Sequence, residues 1–173
     1  MEAEWLDGTV RDQVLVTVTP FPLPYHDHAF EVARLVPYFI DLCDSGGGCH
    51  NREYMDLSYK YQPAILRMPT WSANEFVTWW TEKVAVNLKL DVEELRKCYT
   101  DEDSHKTDKK TRAMWQYAAA RGVNATPTVF VNGVRLPKVP RTVHAWTTLL
   151  DNVREGEFGL LGFGDAEGKS IYD

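Results

Sequence analysis

The first sustained pattern in the chain is the apolar run Val-Leu-Val-Thr-Val at residues 14–18, whose β-branched residues suit a strand buried on both faces, as in a parallel sheet. Thr19-Pro-Phe-Pro-Leu-Pro24 ends it, because alternating prolines can neither pair in a ladder nor continue a helix. A helix is predicted next, with Pro24 in its first turn and Asp27 at the positive end of its dipole. Its apolar stripe is Phe30, Ala33, Leu35, Val36, Phe39 and Ile40, Pro37 should kink it, and it must end before Ser45-Gly-Gly-Gly48.

Helical spacing then dominates. Tyr54, Leu57, Ser58, Tyr61 and Ile65 predict a helix over residues 51–65, disturbed near its end by Pro63. Ser72-Ala-Asn-Glu75 is a capping box ahead of Phe76, Trp79, Trp80 and Val84, since its two side chains satisfy backbone N–H groups that lack helical partners. Asp91-Val-Glu-Glu94 works in the same way before Leu95, Cys98 and Tyr99. A further helix over residues 107–121 carries Met114, Tyr117 and Ala118 on one face, with Gly122 placed to end it in a left-handed conformation.

After Gly122 the period changes. Residues 127–131 (Pro-Thr-Val-Phe-Val) predict a strand, Asn132-Gly133 a hairpin turn, and residues 134–136 the returning strand. A last amphipathic helix over residues 141–155 offers Val143, Trp146, Leu149, Leu150 and Val153 to a core. Residues 156–173 show no regular pattern and predict a loosely held tail.

Composition narrows the function classes. A chain of 173 residues, 44% apolar, is globular and of one-domain size, and a single domain over residues 1–155 is expected. A net charge of -6 argues against nucleic acid or an anionic membrane surface, which need clustered Lys and Arg. The one basic run, residues 106–112, is interrupted by Asp108 and reads as a solvated helix start. No stretch approaches the roughly 20 apolar residues of a membrane span, and the acidic opening residues do not resemble a secretory signal, so no membrane insertion is expected and no cellular address is legible.

The three cysteines, Cys43, Cys49 and Cys98, are too few for a disulfide framework and lack zinc-type pairing with histidine. Cys43 and Cys49 flank a glycine-rich loop flexible enough for the sulfurs to meet in an oxidising compartment, and two reduced thiols are the other reading. Cys98 occupies an apolar helical position, as a small core residue would. His26 and His28 flank Asp27, but residues two apart point to different sides of a helix and no third ligand is near. No metal and no cofactor are expected. One of Trp79 and Trp80 must face away from the core, and an exposed tryptophan would mark a partner surface.

The order strand, proline turn, helical block, then Gly122-Val-Asn-Ala-Thr-Pro-Thr-Val-Phe-Val-Asn-Gly133 resembles the DsbA-like branch of the thioredoxin superfamily over residues 14–154. The resemblance implies an α/β, thioredoxin-like fold that is helix-rich, with a small sheet and a large helical insertion over residues 50–121. It also implies that Thr126-Pro127, beside Ala125, is the family's cis-proline dipeptide, whose proline faces the active-site cysteines. Two alignments compete for Phe21-Pro-Leu-Pro-Tyr-His-Asp-His28. One lays Pro22-Leu-Pro-Tyr25, with His26 at the helix start, over the family's Cys-x-x-Cys. The other matches the later strand, Phe-Pro-Leu, His and Ala-rich helix of DsbA-like proteins, which leaves the family's first strand, cysteine pair and first helix to lie before residue 14.

Under either alignment the redox chemistry is missing. A thiol-disulfide oxidoreductase needs a thiolate at a helix N-terminus and a resolving thiol a turn away, and none of the three cysteines is so placed. The expected function is therefore non-catalytic: a peptide-binding module at the cis-proline groove, or a structural subunit of a larger assembly, with a protein partner. The alternatives are part of a DsbA-like oxidoreductase whose Cys-x-x-Cys segment lies elsewhere or in a partner, and a glutathione-dependent transferase using the Tyr25 hydroxyl.

Overall fold

The computed structural model describes residues 14–156, which divide into two units, one of residues 18–124 and one of residues 14–17 with 125–156. The tail expected over residues 156–173 lies, apart from Gly156, outside the described residues.

The first unit is all helix: α1 (Ala29–Arg34), α2 (Val36–Asp44), α3 (Asn51–Ile65), α4 (Ala73–Leu88), α5 (Val92–Lys97) and α6 (Thr107–Ala120). Local chemistry sets most of these boundaries. At α4, Glu75 N–H donates to Ser72 Oγ while Ser72 N–H donates to the Glu75 carboxylate at 2.8 Å, completing the capping box. Asp91 Oδ1 accepts from Glu93 N at 2.7 Å at the start of α5. Past α6, Gly122 turns left-handed at φ +78° and Val123 N–H bonds back to the Ala118 carbonyl at 3.1 Å. Pro63 sits in the last turn of α3 without ending it.

The helix expected from Pro24 is instead two. Residues 24–28 form turns, α1 begins at Ala29, and the chain breaks at Leu35 so that Pro37 falls in the first turn of α2, where it needs no N–H partner. The core of this unit gathers Leu35, the cap residue of α2, Phe39 of α2, Tyr54 of α3, Phe76, Trp80 and Val84 of α4, and Leu95, all at 1% exposure or less. The Tyr54 hydroxyl donates to the Val32 carbonyl and accepts from Trp80 Nε1 at 3.1 Å, so three helices share one buried polar point. Trp80 is thus the inward member of its pair, and Trp79 is only half-buried. Tyr117, expected on the core face of α6, is 59% exposed, because the buried positions there are Thr107, Thr111 and Ala118.

In the second unit, β1 (Phe130–Val131) and β2 (Val134–Arg135) pair antiparallel, Phe130 opposite Arg135 and Val131 opposite Val134. Asn132 at φ +47° and Gly133 at φ +83° both take left-handed backbone, as a two-residue hairpin requires. α7 (Val143–Arg154) is capped by Thr142, whose hydroxyl accepts from Ala145 N at 3.1 Å. Leu149 and Leu136 are buried together, with Val129, Val131, Trp146 and Val153 against them.

The strand expected at residues 14–18 does not form. Leu15, Val16 and Val18 are 92%, 70% and 62% exposed, and among the described residues β1 and β2 make up the whole sheet. A run that suits burial on both faces becomes a strand only when a neighbouring strand takes up its N–H and C=O groups, and none does so among the described residues.

Candidate functional site

In the helical unit, Leu23 O accepts from His26 N at 3.1 Å, folding the proline segment back on itself ahead of α1. Pro22, Leu23 and Phe30 line a cleft of about 390 Å³ whose other side is the face of α6 bearing Arg112, Trp115 and Gln116. Trp115 stacks on Phe21 with ring centroids 5.5 Å apart and planes within 7°. Arg112 lies 4.7 Å over the Phe30 ring and is held by Asp108, 2.8 Å from its Nε. His26 also lines the cleft, whereas Tyr25 points away, 68% exposed with its ring edge on to that of His26.

His28 lines the same cleft as His26. His28 sits at φ +64°, and its ring lies flat on Phe76 at 4.2 Å with Nε2 3.0 Å from the Met68 carbonyl, tying the start of α1 to α4. Among the described residues, no three His, Cys, Asp or Glu side chains converge to hold a metal ion. On α2, Asp41 receives Lys110 Nζ at 2.7 Å and faces His105 Nδ1 at 3.0 Å. Burial alone would raise the Asp41 carboxyl, but these hydrogen bonds outweigh it and hold it below its usual range.

The cysteines decide what chemistry is open. Cys43, in the last turn of α2, is joined by a disulfide to Cys49, two residues ahead of α3. Cys98 caps the C-terminal end of α5 at 1% exposure, and burial, reinforced by the charge of Asp103, pushes its thiol up to about 12. At neutral pH it is a protonated, enclosed thiol. Cys43 and Cys98 stand at helix C-terminal ends, and Cys49, next to the N-cap of α3, is closed in the disulfide with no third thiol a turn away.

In the second unit, the Thr126–Pro127 peptide bond is cis, and Ala125, Thr126 and Pro127 are all exposed. Thr128 Oγ1 donates to the Ala125 carbonyl at 2.7 Å, closing the turn that leads into β1. Ala125, Thr126 and Pro127 thus belong to one unit, and Pro22, Tyr25 and His26 to the other. The α6 wall of the cleft was not legible in the sequence. The threonines at positions 107 and 111 hide the apolar register of α6, and reading them as core together with Ala118 would have turned Trp115 and Arg112 outward.

The described residues run from a helix-rich block through a cis-proline turn into a β-hairpin and then α7, an order compatible with a thioredoxin-like domain. A family model described as thioredoxin matches residues 53–152, from the first turn of α3 into α7, and the chain belongs to that family. Comparison with curated proteins and with solved structures gave no significant match.

Proposed function

We propose that this chain is a non-catalytic, DsbA-like member of the thioredoxin family that works through binding, with α3 to α6 as its helical insertion and the exposed Ala125-Thr126-Pro127 turn as its peptide-accepting surface. The placement of the cysteines carries this reading. One pair is closed in a disulfide that bridges the end of α2 to the start of α3, outside any Cys-x-x-Cys spacing, and the remaining thiol is buried and held protonated. The test is an insulin disulfide-reduction assay with a dithiol as electron source. The expected result is a rate equal to the uncatalysed background, and turnover that scales with the concentration of the chain would sink the proposal.

The exposed run at residues 14–18 favours a second form of the same reading, in which the chain is a subunit of a larger assembly. Leu15, Val16 and Val18 present an exposed apolar segment, without a strand partner among the described residues, of the composition that strand addition uses. The expected native mass, measured by light scattering on material from its source, exceeds the chain's own 19.8 kDa. A monomer of that mass would remove the assembly role and leave the peptide-binding one.

A further inference from the structure

We infer that the corner between Trp71 and Trp79, on the outward face of α4, is a binding site for an organic cation bearing a trimethylammonium group. The two indoles stand nearly at right angles, 85° between planes and 6.2 Å between centroids, and form two walls of a surface cavity of about 470 Å³. Asn74, Thr78, Glu75 and Glu82 complete its lining, so two carboxylates and no basic side chain face it. Trp71 is 38% exposed, whereas Trp80, one position on from Trp79, is sealed in the core.

Outside the lining, Lys83 Nζ lies 6.0 Å from the centre of the Trp79 ring, so that this indole already takes part in one cation–π contact beside the cavity. Glu75 stays within the capping box through Ser72, which fixes its carboxylate at the rim. Glu82 reaches Arg96 at 3.0 Å, and Arg96 is shared with Glu93, so that arginine faces two carboxylates and leaves the rim net negative.

The aromatic corner selects among cations. A primary ammonium is strongly hydrated and gives up its water reluctantly at an open surface. A trimethylammonium group is bulky and weakly hydrated, and its methyl groups can rest against both indole faces while its charge meets the ring quadrupoles and the two glutamates. Such a group is carried both by small choline-type molecules and by trimethylated lysine side chains.

The test is an NMR titration of the full chain labelled at the indole nitrogens, with choline, with its uncharged isostere 3,3-dimethylbutan-1-ol, and with a trimethyllysine peptide. Saturable shifts of the Trp71 and Trp79 indole N–H signals are expected, with choline about three- to tenfold tighter than the isostere. Glu82→Gln should weaken choline about threefold without affecting the isostere, and Trp71→Ala should abolish the preference for the cation. Equal affinity for choline and the peptide would identify the headgroup alone as the ligand, and tighter peptide binding a protein source. Equal binding of choline and its isostere, or no shift at these two indoles, would overturn the inference.

Discussion

Trp80→Ala is expected to destabilise the helical unit by about 3–5 kcal/mol, the range for truncating a fully buried large aromatic side chain. Trp80 is 0% exposed and packs against Phe76, Tyr61 and Trp79, with ring centroids 6.4, 6.1 and 6.0 Å away. Its indole N–H also donates to the Tyr54 hydroxyl, which donates in turn to the Val32 carbonyl. The truncation therefore opens a cavity and removes a buried donor at once. Trp80→Phe should cost less, since it keeps most of the ring volume and loses mainly the hydrogen bond, worth about 1 kcal/mol. Urea unfolding followed by circular dichroism measures both variants. A loss below about 1 kcal/mol for Trp80→Ala would mean that the aromatic cluster is not the core of this unit.

Opening the Cys43–Cys49 bridge is expected to cost about 2 kcal/mol, the loop-closure entropy returned to the unfolded chain by a ring of this length. The small ring makes this modest for a disulfide. The bridge matters because of where it lies, across the glycine-rich connection between α2 and α3, with Gly46 at φ +79° and Gly48 at φ +108°. These residues are free in an open chain and cannot hold the two helix ends together unaided. A Cys43→Ser and Cys49→Ser double variant should match the reduced wild-type protein in urea midpoint. A wild-type midpoint unchanged by reductant would show that the bridge does not constrain the fold.

The two effects bear on the proposed function in different ways. The aromatic core holds α4 in place, and with it the outward Trp79 and the Trp71 corner. The disulfide holds the connection between α2 and α3 and offers no thiolate for exchange.

The elements whose determinants are local were legible before the structure. A capping box fixes a helix start because a serine and a glutamate three residues apart satisfy each other's backbone N–H groups, whatever lies beyond. Asn132-Gly133 and Gly122 follow the same logic, since each is a local demand for left-handed backbone. The start of α1 was misplaced because Pro24 is compatible with a first turn but does not compel one. The nearby turn through Leu23 and His26 absorbed those residues instead.

By itself the sequence determined where most helices begin and end, the hairpin, and the lack of a Cys-x-x-Cys pair at a helix start, because each depends on residues within a turn of one another. Tertiary structure alone decided that residues 15–18 are exposed, that Trp80 faces inward while Trp79 joins Trp71 outside, and that Trp115 and Arg112 wall the cleft. Those outcomes depend on which distant surface meets each side chain: a strand needs a partner's backbone, and of two neighbouring tryptophans the core admits the one whose N–H finds an acceptor.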